Sequence, residues 1–195
     1  MLLHVRSEEF DRMDEILNRI MDSEKWPSIS YAENLETLNE MADQAFKNDT
    51  FGNKLAALLM YHQIVECMCI HLLEDCAFFI QLSIYPISIQ KRKLDNKMLG
   101  FYLDDLEKNI DFNLKNDFIG KCREFNTIRN RVVHGMAKII SEEMLDLVNN
   151  IKVKFDAIYC TYDQIQDWFR LCFHDFKKDV FLDYFEDEDE DNVPI

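Results

Sequence analysis

The sequence predicts an all-α fold, and three observations carry that prediction. Glycine occurs four times and proline three times in 195 residues, too few for the tight turns of an all-β chain. Apolar residues recur at helical spacing, as in the i, i+3, i+6, i+7, i+10 set that begins at Phe10, the signature of an amphipathic helix. Hydrophobic residues make up 48% and aromatics 12%. A chain of this length with that content can bury a core without disulfides or metals.

The elements follow in order. After Ser7 and its two acids, Phe10, Met13, Ile16, Leu17 and Ile20 form an apolar set at helical spacing. The acids sit near the positive end of that helix dipole. Trp26-Pro27 interrupts this helix. Ser30-Tyr31-Ala32-Glu33 reads as a capping box opening a second helix that runs to about Asn48. A third, from about Asn53 to Tyr85, is stopped by Pro86. His62, Gln63, Glu66, His71, Glu74, Asp75 and Gln81 interrupt its apolar run. A bilayer span tolerates few such residues, so it reads as a central buried helix. Ile87–Lys97 carries four Lys and Arg and reads as a loop, followed by a fourth helix from Met98 to about Ile110. A fifth runs from about Lys115 to His134, with Gly135 as its C′ residue. Ser141-Glu142-Glu143 caps a last long helical region that reaches about Tyr184, with a possible kink. The expected layout is a helical hairpin extension over 1–50, a bundle over 51–185 and an acidic disordered tail over 186–195.

The six cysteines, at 67, 69, 76, 122, 160 and 172, have no repeating spacing, and Met1–Phe10 is charged rather than signal-like. They read as reduced residues of a soluble cytoplasmic protein without a membrane partner. Cys67, Cys69, His71 and Cys76 are the candidate metal set. On a helix Cys67 and His71 share a face while Cys69 and Cys76 point the other way, so one tetrahedral zinc cannot collect them. No metal and no cofactor are expected.

A net charge of −15 disfavours global attraction to nucleic acid. The charge is uneven, however. Between Asn113 and Lys138, Lys115, Lys121, Arg123, Arg129, Arg131 and Lys138 face only Asp117 and Glu124, a local net of +4. An anionic ligand would go there. Glu186–Asp191 is six consecutive acids. That run is either a solubilising terminus or a tethered polyanion able to occupy the same basic segment.

The most informative stretch is Lys121–Gly135. On a regular helix Phe118, Cys122, Phe125 and Val132 share one buried stripe, and Arg129 falls inside the same arc. An arginine there must snorkel or meet an anion. A buried carboxylate such as Glu66, Glu74 or Asp75 could supply it. Asn130 and His134 lie one turn apart on another face. Arg129 and His134, five residues apart, diverge by about 140°.

Arg129-Asn130-Arg131-Val132-Val133-His134 resembles the R-N-x-x-x-H signature of the HEPN family. The surrounding pattern of two long helices, a motif helix and a closing helix is also similar, from about Asn53 to Tyr184. The resemblance implies a bundle of about five to six helices with long central and C-terminal members. It also implies a homodimer and a metal-independent endoribonuclease of toxin or phage-defence systems, with RNA as substrate and an antitoxin or regulatory protein as a further partner. Arg129 would then hold the scissile phosphate, His134 would move protons and Asn130 would orient His134 or the phosphate. Lys121, Arg123 and Arg131 would contact backbone phosphates. Two antiparallel motif helices could bring the diverging Arg129 and His134 together across a dimer. Met136 stands where some HEPN toxins carry a regulatory tyrosine. The alternatives are a non-catalytic HEPN module that binds a nucleotide or protein, and a structural helical adaptor.

Overall fold

The computed structural model describes residues 14–90, 94, 97–136 and 142–186, with side chains to residue 176. Among them there is no strand. Helix α1 is described over 14–21. A 3-10 turn at Ser23–Lys25 follows, then α2 (Ala32–Lys47), α3 (Phe51–Ser83), α4 (Leu99–Glu107), α5 (Lys115–Gly135), α6 (Glu142–Asn149) and α7 (Ile151–Glu186). The chain is all-α, with a long central and a long C-terminal helix.

Helix α3 is the axis. It packs against α2, α4, α5, α6 and α7, so residues on several of its faces are buried, among them Leu58, Tyr61, Val65, Met68, Leu72, Cys76 and Leu82. By length and composition it could cross a membrane. Here it is the core helix, and it also buries His62, His71, Asp75 and Gln81. Thr50 caps it, its hydroxyl accepting from the Asn53 N–H at 3.3 Å. That cap starts the helix two residues earlier than the apolar pattern suggests.

The structure corrects two local readings. The Ser30 capping box does not form. Tyr31 is the N-cap residue of α2, in the left-handed region at φ 59°, and no side chain caps the helix. Gly135 is not a left-handed C′ residue either. It closes α5 within the helix, and Met136 follows at φ −63°. A Cβ on Gly135 would lie 2.1 Å from Met144 Cε of α6. The glycine therefore serves close helix approach rather than an unusual backbone angle.

The possible kink in the last helical region is a break at Asn150, between α6 and α7. Asn150 donates its side-chain amide to the Asp146 carbonyl at 2.9 Å. Beyond it, Ile151, Phe155, Ile158, Tyr162, Ile165, Phe169 and Phe173 are buried at steps of three or four. Ile20 of α1 and Ala42 of α2 belong to the same core cluster as the bundle helices. The helix expected over 7–13, the Ser141 cap, Lys138 and the acidic run after Glu186 lie outside the described residues.

Candidate functional site

Helix α5 presents the motif. Phe118, Ile119, Cys122, Phe125, Ile128 and Val132 are buried, which fixes the rotation of the helix and hence where the polar residues stand. Arg129 is half-buried beside this stripe, while Asn130 and His134 are exposed. Arg129 Nη1 donates to Asn130 Oδ1 at 3.0 Å. Arg129 Nε is shielded from solvent and has no hydrogen-bond partner. A buried donor left in that state costs about 1–3 kcal/mol. Among the described residues, neither Arg129 nor His134 meets a carboxylate.

Two of the carboxylates suggested for Arg129, Glu66 and Asp75, are engaged elsewhere. Glu66 Oε1 accepts from the Leu99 N–H at 3.1 Å and so caps α4. Its neighbour His62 bonds Asn126 Oδ1 through Nε2 at 3.0 Å. Asp75 of α3 is engaged by α7. Its Oδ2 accepts from Gln166 Nε2 at 2.6 Å, and Oδ1 lies 3.4 Å from Arg170 Nη2.

The other cations of α5 are each paired. Lys115 is buried, its Nζ donating to the Asn109 and Ile110 carbonyls at 3.0 and 3.2 Å and to Asp111 at 3.0 Å. It ties down the α4–α5 connection and belongs to no exposed basic face. Lys121 Nζ lies 2.6 Å from Asp117 Oδ2 and 2.7 Å from Thr161 Oγ1. Arg123 forks onto Glu107 at 3.0 and 2.8 Å and also reaches Asp104 at 3.0 Å. Those two carboxylates hold its guanidinium pKa above the ordinary value. Arg131 Nη2 meets Glu143 Oε1 at 2.6 Å. The acid Glu124 is in turn taken by Lys154 of α7, also at 2.6 Å. The +4 segment of the linear sequence is thus largely neutralised in three dimensions.

Sequence reasoning missed a second polar cluster. Between α3 and α7, His71 Nδ1 lies 2.5 Å from Tyr162 Oη, and His71 Nε2 lies 3.3 Å from Arg170 Nη2. Arg170 also donates to the Pro27 carbonyl at 2.6 Å and to Gln166 Oε1 at 3.1 Å. Burial lowers the His71 pKa to about 4. Burial also raises Asp75 to about 7, against the pull of Gln166 and Arg170. Two i, i+4 pairs, His71/Asp75 and Gln166/Arg170, were the available signal. His71 borders a cleft of about 1000 Å³ that also touches Arg19, Glu74 and Gln81. Gln81 is satisfied by the Ile87 carbonyl and the Ile89 N–H, and no residue of the α5 motif lines that cleft.

Among the described residues, no group of three His, Cys, Asp or Glu side chains is placed to hold a metal ion. No family model, no curated protein and no solved structure matches this chain.

Proposed function

We propose that the chain is a HEPN-type endoribonuclease that works without a metal ion. It would act as a cytoplasmic homodimer in a toxin or phage-defence setting, with an antitoxin or regulatory protein as a further partner. One observation carries this reading. Arg129 is held beside the core by a neutral amide rather than a carboxylate, with a buried Nε that lacks a partner. A phosphate would give that guanidinium the anion the fold withholds.

The chemistry needs three groups. The RNA 2′-OH attacks the adjacent phosphorus, forming the 2′-O–P bond as the P–5′-O bond breaks. His134 takes the proton from the 2′-OH, and a proton returns to the departing 5′-oxygen, leaving a 2′,3′-cyclic phosphate. Arg129 offsets the charge that develops on the phosphoryl oxygens. Asn130, bonded to Arg129, orients it. The divergence of Arg129 and His134 on one helix is resolved when a second copy supplies the complementary residue.

A second reading, a non-catalytic HEPN module for a nucleotide or protein, draws on a separate observation. Lys121, Arg123 and Arg131 face carboxylates rather than solvent alone, so among the described residues no ready-made phosphate track leads to the motif.

Incubation of the purified protein with RNA in excess chelator separates the two. Cleavage to 2′,3′-cyclic phosphate ends is expected, with loss in Arg129→Ala and His134→Ala while both variants stay folded. A strict requirement for a divalent ion, or full activity in both variants, would overturn the ribonuclease reading.

A further inference from the structure

Resting on the ribonuclease reading, we infer that the site engages a single phosphate of its substrate, so that short single-stranded RNA, down to a dinucleotide, suffices. A nuclease that grips a long strand needs a row of uncommitted cations along the backbone. Helix α5 has the cations but not their freedom. Lys121 is shared by Asp117 and Thr161. Arg123 spends its fork on Glu107 and Asp104 of α4. Arg131 is held by Glu143 of α6. Each such pair is close to neutral from a distance. A phosphate that displaced the carboxylate would leave that negative charge a few ångströms away. The whole-chain charge of −15 further disfavours every phosphate beyond the first. Arg129 differs because it has no carboxylate to displace among the described residues, only the Asn130 amide.

Asp117 clamps Lys121 from within α5, while Asp104, Glu107 and Glu143 clamp Arg123 and Arg131 from the flanking helices α4 and α6. Selectivity for short or locally unpaired RNA is therefore set by these acids rather than by the motif.

Two readouts test this. The first is kcat/KM per scissile bond for a dinucleoside monophosphate and for a 20-nucleotide single strand, which should agree within about threefold. The second is the slope of log(kcat/KM) against log[salt] for the 20-mer, taken with substrate well below KM. It should lie near −0.7, the value for about one neutralised phosphate on a single strand. Asp104→Asn with Glu107→Gln frees Arg123, and should steepen that slope by roughly one further phosphate. A wild-type slope of about −2 or steeper, or a preference of a hundredfold for the long strand, would overturn the inference while leaving the ribonuclease reading intact. Failure to cleave either substrate would instead remove the ribonuclease reading, and this inference with it.

Discussion

Arg170 of α7 and Arg129 of α5 stand on helices that pack against each other. Arg170 reaches the Pro27 carbonyl at 2.6 Å, Gln166 at 3.1 Å and Asp75 at 3.4 Å, and faces His71 at 3.3 Å. Arg129 has one partner, Asn130, and a buried Nε with none. Both are arginines on the inner side of a helix. The difference lies in what the opposing helix offers. Opposite Arg170, α3 places a fully buried acid, Asp75. Opposite Arg129, the described residues place no carboxylate. An arginine whose charge is met by its own fold holds that fold together. An arginine kept half-buried without an anion is open to one from outside.

The largest expected effect is on stability. Arg170→Ala removes the donor to the Pro27 carbonyl and Gln166, and takes the cation from Asp75. It should cost about 3 kcal/mol in urea unfolding. Arg129→Ala breaks one solvent-exposed hydrogen bond, to Asn130, and relieves an orphaned donor, so it should fall within about 1 kcal/mol of wild type. Equal losses in the two variants would erase the distinction.

A smaller effect concerns pH. In the folded chain Asp75 titrates near 7, above its usual 3.8. His71 titrates near 4, below its usual 6.5. A raised carboxyl contributes stability below its unfolded value and loses it as pH rises through the folded value. A lowered imidazole contributes stability above its unfolded value and loses it as pH falls. Between about pH 4 and 6.5 the unfolded pair holds one proton, on His71, and the folded pair also holds one, on Asp75. The pair's contribution is therefore level across that window. His71→Asn removes the compensation, and stability should then fall as pH rises from about 4 to 7 relative to wild type. Denaturant midpoints of the two proteins across that range check this. A constant offset between them would refute the compensation.

The parts legible in the sequence were those set by local periodicity. The Phe118, Cys122, Phe125 and Val132 stripe emerged as expected, because burial on one helix face needs no knowledge of the partner. Arg129 stood out for the same reason. What the sequence hid was non-local. The basic segment looked free because its acids, Asp104, Glu107 and Glu143, arrive from α4 and α6. The His71–Asp75–Arg170 cluster joins residues about a hundred positions apart. The Ser30 capping box failed because Tyr31 turns the chain through the left-handed region at the helix start. Gly135 was assigned a backbone role when its use is steric, against Met144.

The contrast between the two arginines can be observed directly at their Nε–H groups by side-chain ¹H–¹⁵N NMR of the full chain. Each resonance is assigned by its loss in Arg129→Lys or Arg170→Lys. A dinucleoside monophosphate with a 2′-deoxy sugar, which cannot be cleaved, serves as the anion. The account predicts that the Arg129 Nε–H signal shifts saturably on titration while the Arg170 signal stays in place. An Arg129 signal that does not move at millimolar ligand, or one that moves no more than Arg170, would contradict it.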